Sequence, residues 1–358
     1  MSAPQPAQQQ ADEEEWITWS QRDDWKDIVP VPQADAPNCL VPIAYDELYR
    51  ESMDYFRAMV QTGERSQRTL ELTEVLIQMN PGHYSVWKYR AEALLEVKSD
   101  LVKELELLDG LVKHHLKSYQ VWQHRRTVVL ALNDPSRELD FTAKALAIDS
   151  KNYHTWAYRQ WALCHFYGAR SFAAGARTAE QEKQARDVWA GEIKYAERLL
   201  DEDVRNNSAW NHRFFVAFES GEEAEEVGER EIQYTKTKLA LSPNNPSAWN
   251  YLRGALTRLS LPLKTCTPFA TPLALNTPTS MPPDEPQPSE DAELPAWLAI
   301  EFLADAAAEE GRGLEGEERG KKGDEAAALF TSLIEFDPIR RFYWTLRAKE
   351  AKALGKAQ

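Results

Sequence analysis

The sequence predicts an all-α protein, an array of helical hairpins stacked one on the next. Two observations predict it. A short phrase, Trp followed three or four residues later by Arg, recurs five times at spacings near 35 to 40 residues, with one wider gap of 54. A fixed period with one large aromatic per unit marks supersecondary units that bury their apolar faces only by stacking. The second observation is an absence in the sequence: no period-2 run of β-branched residues is bounded by hairpin turns.

Taken in order, residues 1–15 are polar and glutamine-rich and are expected as a disordered tail. The segment 16–45 contains prolines and is expected to run extended over a surface. Helical patterning starts near Asp46, with Leu48, Met53, Phe56, Met59 and Val60 on one stripe. From there to residue 358 the chain reads as one helical-hairpin repeat domain. Three full phrases come first: Tyr84-Ser85-Val86-Trp87-Lys88-Tyr89-Arg90, Tyr119-Gln120-Val121-Trp122-Gln123-His124-Arg125 and Tyr153-His154-Thr155-Trp156-Ala157-Tyr158-Arg159. Two variants follow, Asn207 to Arg213 around Trp210 and Pro246 to Arg253 around Trp249.

Each phrase opens a helix, and a short turn leads on to a second amphipathic helix. Leu101, Leu105, Leu108 and Val112 keep one such face apolar. Asp134-Pro135 reads as the next helix start, an N-cap with proline at N1, and Leu139, Ala143 and Leu146 then line the buried side. Insertions break the period near 167–185 and at 261–295, where nine prolines argue for a loop or linker. A charged, glycine-rich piece at 309–325 is expected to interrupt the last helical region. The final Asp337 to Trp344 phrase reads as a degenerate terminal repeat.

Each tryptophan falls in the first turns of its helix. Its flat area fills the junction between hairpins, and its N–H needs a partner there. The arginine one turn on lies on the same face, placed to bind carbonyls or carboxylates of the next unit.

Bulk properties narrow the function classes. The 358 residues carry 57 acidic and 42 basic side chains, a net charge of −15, which argues against nucleic acid as the main partner. No apolar run approaches the ~20 residues needed to span a bilayer, and the amino-terminal stretch has no signal-peptide pattern, so no membrane span and a cytoplasmic location are expected. Cys39, Cys164 and Cys266 lie far apart without CxxC spacing, which implies no metal site built on this chain's cysteines. No HExxH, GxxxxGK[ST] or GxSxG motif occurs.

The residues just before the tryptophans are the candidates for chemistry. They sit at helix N-termini along one edge of the array, where exposed N–H groups and positive dipole ends favour an anion. The second repeat places Lys117, Tyr119 and Gln120 there; the third places Lys151, Asn152, Tyr153 and His154. A cation, two phenols, amides and an imidazole could together hold a phosphate or carboxylate. The same residues also fit ordinary caps and solvated side chains, and spacing alone leaves both readings open.

With its flanks, the second phrase (Leu116 to Arg126) resembles the protein prenyltransferase α-subunit repeat, as do Asp149 to Trp161, Glu202 to Phe215 and Pro246 to Gly254. The likeness extends to Asp24-Trp25-Lys26-Asp27-Ile28-Val29-Pro30-Val31-Pro32-Gln33, to Met53 to Ala58, and to Asp337 to Trp344. Within the family, that entry segment is similar to the α subunit shared by protein farnesyltransferase and geranylgeranyltransferase type I, and less to the Rab-specific one.

The resemblance implies a right-handed superhelical crescent wrapped around a separate β subunit, which holds the catalytic Zn2+ and most of the isoprenoid pocket. Mg2+ is expected with the diphosphate. The heterodimer would attach a farnesyl or geranylgeranyl group to a cysteine near the C-terminus of CaaX proteins such as small GTPases. By the resemblance, Lys117 contacts the isoprenoid diphosphate where leaving-group charge develops, and His154, Asn152, Tyr153 and Tyr119 lie around the same group. Gln120 matches the residue that binds the CaaX carboxylate, with Tyr84 near it. Ser118 departs from the asparagine that relatives often carry. Two other readings stand beside this one: a TPR-like peptide-binding scaffold, and the Rab geranylgeranyltransferase α subunit.

Overall fold

A computed structural model of the chain describes residues 18–34, 38–169, 177–222 and 224–355. The disordered tail expected over 1–15 lies outside them. The described residues form fifteen α-helices and no extended strand. They divide into two compact units, one ending at Tyr158 and one beginning at Arg159.

The first unit holds α1 (Glu47–Thr62), α2 (Gln67–Met79), α3 (Tyr84–Glu96), α4 (Leu101–His114), α5 (Tyr119–Leu132), α6 (Glu138–Ile148) and the start of α7 (Tyr153–Ala162). Asp46 caps α1 by accepting from the Tyr49 N–H, so the helix starts where its pattern begins. Val60 is the exception on that stripe and is exposed. The preceding segment is more anchored than a loosely laid extended chain. Two short 3₁₀ turns bury Trp19 and Trp25, whose rings meet at 4.7 Å, and Trp19 Nε1 donates to Ser52 Oγ at 2.8 Å. Further on, the Val31 carbonyl accepts from Arg57 Nε at 2.7 Å.

The hairpins pair α2 with α3 and α4 with α5, so the tryptophan helix closes each hairpin rather than opening it. The reason lies in one repeated bond. Trp87 Nε1 donates to the Pro81 carbonyl, Trp122 to Leu116 and Trp156 to Ser150, at 2.9, 2.8 and 3.0 Å. In each case the acceptor is six residues back, in the turn that enters the helix. The indole therefore fills the junction and satisfies a turn carbonyl together.

The phrase arginines bind buried carboxylates on the first helix of the following hairpin. Arg90 pairs with Glu104 and Arg125 with Glu138, each through two N–H···O contacts of 2.6–2.8 Å. Each carboxylate is also held by the aromatic two residues after the next tryptophan: Glu104 by His124 at 2.7 Å, Glu138 by the Tyr158 hydroxyl at 2.6 Å. Facing Arg125 sets the orientation of α6. Its buried face is Glu138, Phe141, Thr142, Ala145 and Leu146, with Leu139 and Ala143 only half-buried, a shift from the stripe expected. The regular helix also begins later than Asp134-Pro135, because Asp134 caps a turn through the Ser136 N–H before Glu138 starts α6.

The second unit continues α7 through a π-helical turn (Leu163–Tyr167) and adds α8 (Ala179–Glu202), α9 (Asn207–Glu219), α10 (Ala224–Leu241) and α11 (Pro246–Arg258). The same two rules hold here. Trp210 and Trp249 donate to carbonyls six residues back, Val204 and Pro243, at 2.8 and 2.7 Å. Glu192 binds Arg159 and His212, and Glu231 binds Arg213 and Tyr251.

Two expected interruptions are structured. The 261–295 segment, expected as a loop or linker, carries α12 (Thr267–Ala274) between short 3₁₀ turns. Pro268 sits in the first turn, where no intrahelical donor is needed, and Phe269 and Leu273 are fully buried. The rest of that segment is tied down by the Ser289 N–H to the Ala240 carbonyl and the Ala296 N–H to the Leu273 carbonyl. The 309–325 piece is helical except at residues 313–315, between α13 (Trp297–Arg312) and α14 (Gly316–Phe336). Gly316, at φ +57°, serves that turn, whereas Gly323 serves packing: a Cβ there would stand 2.7 Å from the Ala351 carbonyl of α15 (Arg341–Leu354). Gly311-Arg312-Gly313-Leu314-Glu315-Gly316 spells a nucleotide-loop pattern but follows a helix, the wrong context for one.

Candidate functional site

The candidate edge lies in the first unit, where three helices begin with exposed tyrosines. Tyr84, Tyr119 and Tyr153 are the first residues of α3, α5 and α7 and are 75%, 69% and 72% exposed. Exposed phenols at successive helix N-termini put O–H groups beside N–H groups that no intrahelical carbonyl uses. Lys117 precedes the N-cap of α5, is exposed, and forms no ion pair with a described residue.

His154 is brought against this group. Its ring meets Tyr119 edge to face at 4.3 Å and Tyr153 at 5.7 Å. Burial lowers its pKa below the ordinary imidazole value. It is therefore mainly the neutral ring near pH 7, ready to gain a proton when an anion arrives.

Gln120 is held in one orientation. Its Nε2 donates to the Gly82 carbonyl at 3.1 Å, and its Oε1 accepts from Ser118 Oγ at 3.2 Å. Gln120 and Tyr84 both line an open cavity of about 490 Å³ between α3 and α5, along with Trp87, Lys88, Tyr119 and His124.

Asn152 does not join them. It is only 3% exposed, and its Oδ1 accepts from the Thr155 N–H at 3.0 Å and the Thr155 hydroxyl at 3.1 Å. Its Nδ2 donates to Asp149 at 3.3 Å. The side chain is the N-cap of α7, so it shapes the edge from behind instead of offering an amide to a ligand.

Sequence reasoning passed over the Ser118 hydroxyl and the Gly82 carbonyl that fix Gln120. It also missed the carboxylates Glu104 and Glu138 beneath the edge. Burial pushes the Glu104 carboxyl up, but the hydrogen bonds from His124 and Arg90 outweigh it and hold the pKa at about 2. The α5 helix that carries Tyr119 and Gln120 is thus fastened from below by ionised side chains.

Among the described residues no group of three or more His, Cys, Asp or Glu side chains is placed to hold a metal ion. The three cysteines are free thiols. No described helix is long and apolar enough to cross a membrane.

Five stretches of the chain, 66–97, 101–132, 135–166, 189–219 and 229–259, match the model of the protein prenyltransferase alpha subunit repeat. Each stretch ends with one tryptophan helix and includes the helix before it, the hairpin pairing seen above. The protein farnesyltransferase/geranylgeranyltransferase type-1 subunit alpha of Dictyostelium discoideum is 38% identical over 208 residues, 56% of this chain and 58% of that one. Its Arabidopsis thaliana namesake is 34% identical over 209 residues, 58% of each. The matched region thus spans less than two thirds of these relatives' length. Geranylgeranyl transferase type-2 alpha subunits match at a lower 28%. A solved chain of Candida albicans protein geranylgeranyltransferase-I complexed with GGPP superposes with a TM-score of 0.72 at 28% identity, covering 92% of this chain and 98% of that one.

Proposed function

This chain belongs to the protein prenyltransferase alpha subunit repeat family, and from that premise we propose that it is the α subunit of a heterodimeric CaaX protein prenyltransferase. The subunit is of the kind shared by farnesyltransferase and geranylgeranyltransferase type I. Together with a β subunit, in the cytoplasm, it transfers farnesyl or geranylgeranyl from the isoprenoid diphosphate to a cysteine near the C-terminus of proteins such as small GTPases. The names of the more similar relatives favour this reading over the Rab-specific subunit, and the family match favours it over a TPR-like scaffold.

One observation carries the proposal for the site: Lys117 is exposed, without an ion pair to any described residue, one residue before the α5 N-cap and two before Tyr119, whose ring meets His154. Cleaving an allylic diphosphate moves charge onto the leaving oxygen. A cation and oriented donors placed there lower the barrier, often by several kcal/mol per donor. Lys117 meets the charge that develops nearest the broken bond. The hydroxyls of Tyr119 and Tyr153 and the His154 ring take the remaining diphosphate oxygens. Gln120 offers its second amide N–H to the peptide carboxylate, and Tyr84 walls the same cavity.

The metals belong elsewhere in this reading. Zn2+ is carried by the β subunit and, when bound, lowers the pKa of the substrate thiol; Mg2+ travels with the diphosphate. The deciding experiment is co-expression with a β subunit. The pair is expected to co-purify and to prenylate a CaaX peptide that neither chain modifies alone. A stable, inactive monomer that ignores every β subunit would overturn the proposal.

A further inference from the structure

We propose that Ser118 is a positioning residue for Gln120, setting the amide so that one N–H always faces the peptide's terminal carboxylate. This rests on the reading of Gln120 given above. The Ser118 hydroxyl is shared among three groups. It donates toward Gln120 Oε1 at 3.2 Å and lies 3.4 Å from the Pro81 carbonyl, and it accepts from the Val121 N–H at 3.5 Å as the cap of α5. The Pro81 carbonyl is the one that Trp87 Nε1 already binds at 2.9 Å. One residue on, the Gly82 carbonyl takes an N–H of Gln120 at 3.1 Å, and the Gly82 N–H is fixed by Asn80 Oδ1 at 3.2 Å.

The turn before α3 and the start of α5 therefore grip the Gln120 amide at both ends. A primary amide has one oxygen and two N–H groups. With the oxygen on Ser118 and one N–H on Gly82, the group left over is a donor. A flipped amide would set its oxygen against the Gly82 carbonyl oxygen, so the flip is opposed as well. An anionic carboxylate needs a donor and meets one that is already oriented, which spares the cost of ordering the side chain on binding.

The test uses the heterodimer and a CaaX peptide made with either a free or an amidated C-terminus. Ser118→Gly removes the hydroxyl while leaving a residue type that still serves at an N-cap. It is expected to raise the KM for the free-acid peptide about five-fold, with kcat and the KM for the isoprenoid diphosphate nearly constant. For the amidated peptide, followed as substrate or competitor, wild type and variant are expected to agree. Ser118→Asn restores both a cap and a donor and should return the KM. An unchanged KM, or an equal rise for both peptides, would overturn the positioning role. Absence of prenyl transfer by the wild-type pair would overturn the functional reading itself, and the positioning role with it.

Discussion

Tyr119 and His154 meet edge to face, ring centroids 4.3 Å apart and planes at 89°, although they stand on the tryptophan helices of successive hairpins. The contact shields the imidazole and helps keep it neutral, in line with its lowered pKa. An anionic diphosphate beside it favours the protonated ring, so the His154 pKa rises on binding. Linkage then requires affinity to grow as pH falls toward the bound-state pKa. We predict that the heterodimer binds isoprenoid diphosphate a few-fold more tightly at about pH 6 than at about pH 8, and that His154→Gln flattens the profile. Fluorescence titration across pH checks both.

Lys117→Ala is expected to leave the heterodimer intact, because the side chain is exposed and supports no packing. The single-turnover transfer rate should fall by a factor on the order of 10 to 100. Rapid quench with a labelled isoprenoid reads this directly, and an unchanged rate would remove Lys117 from the chemistry.

Trp122→Ala acts on the fold instead. The indole is 5% exposed and its Nε1 donates to the Leu116 carbonyl at 2.8 Å. Truncation should cost roughly 3–5 kcal/mol. Trp122→Phe keeps most of the buried area but leaves that carbonyl without its donor, at about 1–3 kcal/mol. Urea unfolding monitored by circular dichroism ranks the two variants, and the reverse order would refute the packing argument.

Glu104 makes stability depend on acid. Its folded pKa is about 2 against an ordinary 4.5, so the carboxylate contributes fully above the ordinary value, and that contribution fades as pH falls from there toward 2. Glu104→Gln leaves the buried Arg90 with only the more distant, exposed Glu74 carboxylate at 3.5 Å, a loss of about 3 kcal/mol at neutral pH. The variant should also lose less than wild type on acidification. Thermal melts between about pH 7 and 3 would show the two curves converging.

Much of this was written plainly in the chain. The tryptophan period located five hairpin units, though not which helix opens each, and the need for an indole acceptor was met by the carbonyl six back in all five copies. The carboxylates beneath were hidden because their distance from the phrase arginine varies: Arg90 to Glu104, Arg125 to Glu138, Arg159 to Glu192 and Arg213 to Glu231 share no spacing. For Asn152 the choice between cap and ligand contact had a clue in the register. Asn206 and Asn245 occupy the same position, four before tryptophan, and both cap their helices, so register marked Asn152 as a cap before any ligand. The prolines of 261–295 suggested a loop because composition ignores position. Pro268 lies in a first turn, where proline helps a helix.

The rungs of arginine and glutamate also tie each hairpin to the next by charge. Arg90, Arg125, Arg159 and Arg213 each reach forward to an acid on the first helix of the following hairpin, so each intervening hairpin carries one acid for its predecessor and one arginine for its successor. At the end of the second unit the direction reverses. Arg253 reaches forward to Asp305 at 2.8 Å, but Arg347, three residues past the last tryptophan, turns back to the same carboxylate at 2.6 Å. One acid answers two arginines. Asp305 is therefore a clasp between α11 and α15, and its loss would loosen both helices from α13 at once.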